Sequence, residues 1–238
     1  MTILVAIGGV SGSGKSTGAR LIQQYLTSAD PNLSCKKISL DNFYVQGLHG
    51  LVGTDQDPRF CEKLNYDHPD SIDRKRLDAS LDKILAGESL TLPKYDFSTH
   101  KYGSEEINIP SSLDVAIVES MLALYLDEVF TRADFKFYWD TQLEVAFHRR
   151  FFRDIEERGR TPKEINRQMK AAVFPMQDRY VIPSKSKHGV VEVPCIDGMS
   201  KEGYMDLIHI CADAIYHRLT GKPIPKQDYR KFIIPWVD

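Results

Sequence analysis

The chain lacks several features that define specialised classes of protein. Its four cysteines include no C-x-x-C pair, so we expect free thiols in a reducing cytoplasm and no zinc or redox site. No apolar run approaches the ~20 residues of a membrane span, and the first residues lead directly into a strand pattern, so we expect neither membrane insertion nor a signal peptide. The net charge of −2 argues against a generally basic nucleic-acid binder, although it is compatible with a local basic patch.

The rest of the composition is that of an ordinary globular protein. Of the 238 residues, 42% are hydrophobic and 27% are charged, which suffices for one domain with a full core. The sequence shows no internal repeat and no low-complexity segment. We predict a single domain over residues 1–221 and a tail over residues 222–238, whose three prolines predict an extended conformation.

A glycine-rich loop near the N-terminus gives the most specific signal. Gly9 to Ser16 reads G-x-x-x-x-G-K-S, between an apolar run at residues 3–7 and a helical pattern at residues 19–26. Glycines let backbone N–H groups turn towards a polyphosphate, Lys15 adds positive charge, and Ser16 offers an oxygen to Mg²⁺. A chance Gly/Ser-rich turn is the alternative, which the flanking strand and helix disfavour. The predicted triphosphate-binding residues are Gly9, Ser11, Gly12, Ser13, Gly14, Lys15, Ser16 and Thr17.

Strand-like and helix-like segments alternate along the rest of the chain. Runs at residues 35–40, 115–118, 135–139 and 190–193 predict strands, and continuous apolar runs are typical of buried parallel ones. The spacing predicts helices over residues 70–86 with Asp70 as N-cap, over 141–157, from Thr161 towards Val173, and over 202–219. This alternation predicts an α/β fold with a mainly parallel sheet. Residues 90–95 and 106–109 predict a hairpin that stands off the sheet, and residues 45–64 predict a long loop.

Acidic residues end three of the predicted strands, where parallel sheets bind their ligands. Asp41 could accept a proton from an acceptor hydroxyl or orient it, and a capping or turn aspartate is an equally weighted alternative. Glu119 ends a buried strand, which is the Walker-B position for a ligand of Mg²⁺ or water. An ordinary strand-end glutamate is the less favoured alternative there. Asp140 is the third such residue.

Two further groups of residues suit a binding site. The densest basic cluster is Arg149, Arg150, Arg153, Arg158 and Arg160. It predicts either a solvated face paired with neighbouring acids or, around the Gly159 break, a lid whose guanidinium groups hold a triphosphate. Residues 65–70 and 95–100 are rich in polar and aromatic side chains, and they suit a small ligand with a ring. Asp67 could bind two ribose hydroxyls, Tyr66 and Tyr95 could stack on a ring, and His100 is either a ligand contact or an ordinary loop histidine.

Together and in this order, these segments resemble uridine–cytidine kinases of the uridine kinase/phosphoribulokinase group. The matching motifs are residues 9–16, D-x-F-Y at 41–44, Y-D-H-P-D at 66–70, P-x-Y-D-F-x-x-H at 93–100, R-R-x-x-R-D-I-x-E-R-G-R at 149–160, with Glu119, Gln168, Pro175 and Pro183. The resemblance spans residues 3–193. The glycine-rich loop is generic, whereas the combination of the other motifs is specific.

The resemblance implies a P-loop kinase: a three-layer sandwich with a mainly parallel sheet, a protruding β-hairpin at about residues 90–109 and a helical lid at about residues 149–170. It implies transfer of the ATP γ-phosphate to the 5′-hydroxyl of uridine or cytidine in cytoplasmic pyrimidine salvage, by a homo-oligomer, either tetramer or dimer. Asp41 would be the base, with Lys15 at the phosphates and Mg²⁺ at Ser16 and Glu119. The implied nucleoside contacts are Tyr44, Tyr66, Asp67, Tyr95, His100, Arg150, Arg153 and Gln168, and the implied phosphate contacts of the lid are Arg158 and Arg160.

The chain departs from the family pattern at a few positions. Ser120 follows Glu119 where the family usually has Gly, Gly189 stands where an Asp is usual, and the loop at residues 45–64 is longer. Two alternatives stay open: a kinase of the same fold for another ribonucleoside or a sugar phosphate, and a nucleotide-binding regulatory protein without turnover. Tyr95 and His100 favour a pyrimidine over a bare sugar phosphate. The presence of both a phosphate-binding loop and the acids Asp41 and Glu119 favours an enzyme.

Overall fold

The computed structural model describes residues 1–45, 65–96 and 101–232. The strands are β1 Ile3–Gly8, β2 Cys35–Ser39, β3 Leu90–Asp96, β4 Lys101–Ile109, β5 Val115–Glu119, β6 Phe135–Thr141 and β7 Val190–Cys195. The α-helices that carry the argument below are α1 Lys15–Ala29, α2 Arg74–Leu85, α3 Asp127–Phe130, α4 Leu143–Glu156, α5 Pro162–Gln168 and α6 Lys201–Thr220. The predicted loop at residues 45–64 lies outside the described residues apart from Val45.

Five of the strands form one parallel sheet in the order β2-β5-β1-β6-β7. Every residue of β1 is buried, and its successive side chains belong to two different apolar clusters. Leu4 and Ala6 pack in a cluster with α2, α3 and the hairpin, whereas Val5 and Ile7 pack with α1 and α6. Alternate residues of a strand point to opposite faces, so the sheet is covered on both sides. The predicted α/β three-layer fold with a mainly parallel sheet is confirmed.

Strands β3 and β4 form a separate antiparallel pair. β4 begins at Lys101, five residues earlier than the pattern predicted, because most of its side chains are exposed and give no apolar alternation. The inner face of the pair carries Leu92, Tyr95 and Ile109, which are buried in the same apolar cluster as Leu4 and Ala6 of β1. The hairpin is therefore distinct from the main sheet but anchored to its core.

Several helix boundaries differ from the prediction. Asp73, not Asp70, caps α2, because its side chain accepts a hydrogen bond from the Arg76 N–H at 3.0 Å. Asp70 lies in a 3₁₀ turn, Pro69–Ser71, that is capped instead by the His68 ring. Thr141 belongs to β6, which extends two residues beyond Trp139 because it pairs with β7 as far as Cys195, and α4 therefore begins at Leu143.

The helix that follows Gly159 begins with the predicted cap. Thr161 forms a capping box with Glu164, and Pro162 occupies the first helical turn. The helix continues past Val173 through π-helical turns at Met169–Val173 and Gln177–Val181. A proline has no N–H and clashes with the preceding turn of an α-helix, and the wider π turns on either side of Phe174–Met176 accommodate Pro175 without ending the helix.

The tail after α6 returns to the body of the protein. Gly221 ends α6 with a φ of 71°, as predicted. Beyond it, Ile224 and Phe232 are buried in the cluster of α1 and α6, and the Phe232 ring stacks on Tyr25 at a centroid distance of 5.6 Å. Within residues 1–45, 65–96 and 101–232, none of the helices combines the length and the apolar character that a membrane crossing requires.

Candidate functional site

The loop between β1 and α1 has the backbone conformation that surrounds a phosphate. Gly9, Gly12 and Gly14 have φ angles of 142°, 88° and 91°, which residues with a Cβ rarely adopt. Helix α1 begins at Lys15 without a side-chain cap, so the N–H groups of its first turn stay available to a ligand. The loop is tied to β6 by the Thr141 hydroxyl, which donates to the Ser13 carbonyl oxygen at 2.9 Å.

Gly12 provides a direct test of this loop. A Cβ on Gly12 would lie 2.0 Å from the carbonyl oxygen of Ala146 in α4, so backbone would have to move. We expect Gly12→Ala to weaken ATP binding at least about 100-fold, as measured by calorimetry. Gly198→Ala is the matched control, because Gly198 also has a positive φ, 71°, but nothing lies within 4 Å of the position that its Cβ would take. ATP affinity equal to wild type in Gly12→Ala would contradict the role of this loop.

Lys15 lies beside the loop with its Nζ 3.4 Å from the Val10 carbonyl oxygen. Burial lowers the pKa of the Lys15 ammonium, and the Glu119 carboxylate partly opposes that shift. A cation that has lost much of its water gains strongly from an anionic partner. Lys15 is therefore placed to bind a polyphosphate.

Glu119 and Ser16 form the oxygen-rich part of the site. Glu119 is 4% exposed and accepts a hydrogen bond from the Ser16 hydroxyl at 2.9 Å. Its other oxygen lies 3.4 Å from Nζ of Lys37. In the described part of the chain, no group of three or more His, Cys, Asp or Glu side chains could hold a metal by itself. One carboxylate and one hydroxyl fit Mg²⁺, which usually binds through one or two carboxylates together with substrate phosphates.

Asp41 follows β2 and lies in the same region as Glu119. Its two carboxylate oxygens accept hydrogen bonds from the Tyr44 hydroxyl at 2.8 Å and from the Ser39 hydroxyl at 3.1 Å. Burial raises the pKa of Asp41, and the negative charge of Glu119 raises it further, whereas the Tyr44 hydrogen bond and Lys15 lower it. The carboxylate is thus oriented by two hydroxyls and made more basic than an ordinary aspartate. These are the properties of a general base.

A cavity of about 910 Å³ joins the phosphate-binding loop to the hairpin and the arginines. The predicted site residues that line it are Ser11, Lys15, Ser16, Asp41, Tyr44, Tyr66, Asp67, Tyr95, Glu119, Arg150, Arg153, Arg158, Arg160 and Gln168. Gly9, Gly12, Ser13, Gly14 and Thr17 belong to the loop and the first turn of α1 but not to the lining. His100 lies outside the described residues.

One strand-end acid and one histidine of the sequence motifs, Asp140 and His68, lie outside the lining of the cavity. Asp140 is 3.7 Å from Nζ of Lys185 and does not line the cavity. The Nδ1 atom of His68 accepts a hydrogen bond from the Asp70 N–H, and its Nε2 lies 3.0 Å from the Tyr180 hydroxyl. His68 therefore stabilises the turn that carries Asp67, which is the ordinary structural role of a loop histidine.

Tyrosines form one wall of the cavity. The ring of Tyr44 meets Tyr66 and Tyr95 edge-on, at centroid distances of 5.1 and 4.9 Å. Tyr102 on β4 does not line the cavity but supports these rings, since its own ring lies 5.7 Å from Tyr95 and its hydroxyl donates to the Tyr44 carbonyl oxygen. Edge-to-face packing fixes aromatic rings, so this wall presents tyrosine rings in fixed orientations to a ligand in the cavity.

Sequence reasoning missed the residues that support this wall. Arg76 of α2 donates to the Tyr102 hydroxyl at 2.6 Å and to the Asn42 carbonyl oxygen. Asn42 is buried, and its side-chain oxygen accepts from the Tyr95 N–H at 3.1 Å. These hydrogen bonds therefore connect the turn after β2, helix α2 and the hairpin. The only signal in the sequence was the position of Asn42 between the two residues singled out at Asp41 and Tyr44.

Asp67 lies opposite the arginine-rich helix. The side chain is buried, its backbone N–H donates to the Asn65 side-chain oxygen at 2.9 Å, and Oδ1 lies 3.8 Å from Nη1 of Arg150. The Asp67 carboxylate lines the cavity. Because Arg150 stays at the outer edge of ion-pair distance, the carboxylate can still accept hydrogen bonds from a ligand.

Asp154 is the common partner of four arginines; the solvated-face alternative counted it among the neighbouring acids but did not predict that it is buried between them. Its side chain is 0% exposed, and Arg150, Arg153, Arg158 and Arg160 lie 3.5, 2.7, 3.4 and 3.1 Å from its oxygens. Burial alone would raise the pKa of Asp154, but these arginines outweigh burial and lower it. Burial also lowers the pKa of Arg158 to about 10. The interpretation as a solvated face is thus wrong for these four residues, which line the cavity around one buried acid.

Ser120 is accommodated without strain after β5. Its backbone φ is not positive, and its hydroxyl accepts a hydrogen bond from the Leu122 N–H at 3.2 Å. The side chain lines the cavity. The serine therefore narrows the cavity by a hydroxymethyl group whose oxygen stabilises the turn.

Comparisons with known proteins show which family the chain matches. The family described as "Phosphoribulokinase / Uridine kinase family" matches residues 4–196. A protein named uridine kinase from Lactobacillus helveticus is 33% identical over 183 residues, which cover 77% of this chain and 82% of that protein.

Solved structures show the same fold at low sequence identity. A D-glycerate 3-kinase from Cryptococcus neoformans has a TM-score of 0.62 at 14% identity and covers 82% of this chain and 86% of its own. The phosphoribulokinase from Rhodobacter spheroides has a TM-score of 0.60 at 13% identity, and the match covers 82% of this chain and 70% of that structure. Together with the family match and the 33% identical relative, the geometry leads to one conclusion: the chain belongs to the phosphoribulokinase/uridine kinase family and is an ATP-dependent kinase.

Proposed function

We propose that the protein transfers the γ-phosphate of ATP to the 5′-hydroxyl of uridine or cytidine. The observation that carries the proposal is one cavity that holds the phosphate-binding loop, the basic carboxylate of Asp41 and the buried carboxylate of Asp67 against a wall of tyrosines. A protein that only bound ATP would need the phosphate-binding loop but neither of the two carboxylates nor the tyrosine wall. The relative from Lactobacillus helveticus, named uridine kinase, supports a nucleoside as acceptor.

In the proposed reaction, Asp41 accepts the proton of the 5′-hydroxyl while that oxygen attacks the γ-phosphorus. The bond between the γ-phosphorus and the bridging oxygen breaks, and ADP leaves. Lys15 and the amides at the start of α1 bind the phosphate oxygens, and Arg158 and Arg160 add positive charge from the other side. Bound Mg²⁺, which Ser16 and Glu119 would hold, supplies further charge neutralisation at the phosphates.

Acceptor recognition is proposed for the opposite end of the cavity. Asp67 would accept hydrogen bonds from the two ribose hydroxyls, and Tyr44 and Tyr66 would enclose the nucleoside. Tyr95 and His100 would recognise the pyrimidine. On the helical side, the nucleoside contacts would be Arg150, Arg153 and Gln168, of which Gln168 accepts a hydrogen bond from Arg160.

Replacement of Asp67 tests the orientation of the acceptor. We expect Asp67→Asn to raise the KM for uridine about 10- to 100-fold, because an ionised acceptor of two hydrogen bonds is lost. The KM for 2′-deoxyuridine, which has one ribose hydroxyl fewer, should change less. Steady-state kinetics with both nucleosides measures the difference. An equal change for the two nucleosides would mean that Asp67 does not contact the 2′-hydroxyl.

A panel of acceptors tests the function as a whole. ADP release is measured with uridine, cytidine, purine nucleosides, nicotinamide riboside and ribulose 5-phosphate. We expect turnover with uridine and cytidine, and the tyrosine wall favours a flat base over a bare sugar phosphate. Turnover with ribulose 5-phosphate alone would replace the proposed acceptor, and no turnover with any compound would support a regulatory protein that binds nucleotide.

We further propose that residues 1–221 act as one catalytic domain, with residues 222–238 as a tail, in a cytoplasmic homo-oligomer. The free and buried cysteines Cys35, Cys195 and Cys211 agree with a reducing compartment. Most side chains of β4 are exposed, and this leaves one side of the hairpin available for a second copy. Light scattering coupled to gel filtration measures the oligomeric state.

A further inference from the structure

Lys37 is a charged residue of the cavity that the proposed reaction does not use. It lies within β2, where it pairs in register with Ile117 of β5. It is two residues before Ser39, so both side chains point to the same face of the strand. Lys37 lines the cavity together with Ser16, Asp41 and Glu119. The anionic partner of this lysine is Glu119.

Both oxygens of the Glu119 carboxylate are engaged. Oε1 lies 3.4 Å from Nζ of Lys37, and Oε2 accepts the hydrogen bond of the Ser16 hydroxyl at 2.9 Å. The Glu119 side chain is 5% exposed and that of Lys37 is 31% exposed. The pair is therefore partly shielded from water, where a charge interaction is stronger than at an open surface.

The same carboxylate is the one proposed to hold Mg²⁺. An ammonium group at 3.4 Å already neutralises it, and a divalent cation that approached would meet repulsion from Lys37. The negative charge of a triphosphate removes this conflict, because it can pair with the displaced ammonium. Mg²⁺ also gives up its bound water reluctantly and binds weakly where one carboxylate is the main protein ligand.

We propose that Lys37 is a positioning residue that keeps Glu119 oriented and neutralised, so that the metal binds only together with the triphosphate. The inference rests on the proposed role of Glu119 as a metal ligand, and it concerns the order of binding rather than the acceptor. It predicts that the protein without nucleotide has a low affinity for divalent cations because of Lys37.

The test measures binding of Mn²⁺ alone to the nucleotide-free protein by electron paramagnetic resonance, which detects the free ion. We expect Lys37→Met to bind Mn²⁺ about tenfold more tightly than wild type. Lys36→Met is the matched control: it removes the same charge from the neighbouring position of β2, but Lys36 does not line the cavity. The control should bind Mn²⁺ as wild type does. Lys37→Gln provides a second variant should Lys37→Met fail to fold.

A further variant locates the effect. In Lys37→Met combined with Glu119→Gln, the tighter Mn²⁺ binding should disappear. Unchanged Mn²⁺ affinity in both Lys37 variants overturns the proposal, as does an equal gain in Lys36→Met or persistence of the gain in the double variant. None of these measurements uses a nucleoside or turnover, so a failure of the proposed acceptor would leave the difference in Mn²⁺ binding intact.

Discussion

Asp41→Asn is expected to lower kcat for uridine about 10³-fold and to leave the Kd for ATP within about twofold of wild type. Asparagine has the shape of aspartate, and its side-chain oxygen can still accept the hydrogen bond that Tyr44 donates to Asp41. The geometry of the cavity is therefore retained while the proton acceptor is lost. Coupled ADP release measures kcat, and calorimetry with ATP alone measures Kd.

Asp197→Asn is the control for this substitution, because Asp197 is exposed in the turn after β7, outside the cavity. It should keep wild-type kcat. Turnover near the wild-type rate in Asp41→Asn would remove Asp41 from the mechanism. A loss of ATP affinity as large as the loss of kcat would assign Asp41 to nucleotide binding instead.

The pH profile tests whether the reaction requires the ionised form of Asp41. A base acts in its ionised form, so kcat/KM should fall as the pH drops through the pKa of Asp41. Burial and the charge of Glu119 raise that pKa, and the acidic limb should therefore lie at a higher pH than for an ordinary aspartate. The Tyr44 hydrogen bond lowers the same pKa, so Tyr44→Phe should move the limb further upward.

Asp154→Ala is expected to lower the free energy of unfolding by about 3 kcal/mol at pH 7. The substitution leaves four arginines around a position without negative charge, and Arg150 among them is only 4% exposed. We also expect kcat/KM to fall about 100-fold, because arginines that line the cavity would separate. Urea unfolding and steady-state kinetics measure the two effects.

Asp78→Ala is the control, since Asp78 pairs with Arg132 at 2.7 Å but its side chain is 46% exposed. Such a surface pair contributes ~1 kcal/mol or less. A loss of stability in Asp154→Ala no larger than in the control would contradict the role of Asp154. Asp154→Asn, which keeps the shape of the side chain, should lose activity to an intermediate extent.

The effect of Asp154 on stability depends on pH in a defined direction. Its pKa is lower in the folded chain because the arginines outweigh the opposing effect of burial. Such a group stabilises the fold fully above its unfolded pKa of about 4, and the contribution is lost as the pH falls through the lower, folded value. The difference between wild type and Asp154→Ala should therefore be constant near neutral pH and shrink below about pH 4.

The sequence was sufficient for the sheet and for the donor half of the site. Continuous apolar runs place β1 and β5 at the centre of a parallel sheet, so the acids at the carboxyl ends of β2 and β5 must come together. Asp41 and Glu119 could therefore be selected as candidates because each follows a predicted strand, although a capping or turn role for Asp41 had equal weight and the order β2-β5-β1 was not predicted. The phosphate-binding loop followed from its glycines, whose positive φ angles the structure bears out.

The parts that could not be predicted depend on turns and burial that residue patterns do not show. Asp154 reads as one more acid on a charged helix with arginines at helical spacing, and only the turn at Gly159 brings Arg160 back to it as well. Tyr102 lies in the first half of β4, before residue 106, where mostly exposed side chains gave no strand pattern. The start of α2 was misassigned because both Asp70 and Asp73 suit a cap by residue type, and the His68 ring occupies the earlier turn.

The hydrogen bond from Thr141 to Ser13 has a consequence for the chain as it is synthesised. A nascent chain that has emerged from the ribosome as far as β5 contains the complete G-x-x-x-x-G-K-S sequence, yet it lacks β6, which flanks β1 on one side. It also lacks Ala146, against which Gly12 packs. We therefore expect nucleotide affinity to arise only after more than half of the chain has been translated, so that ATP would not assist the earliest steps of co-translational folding.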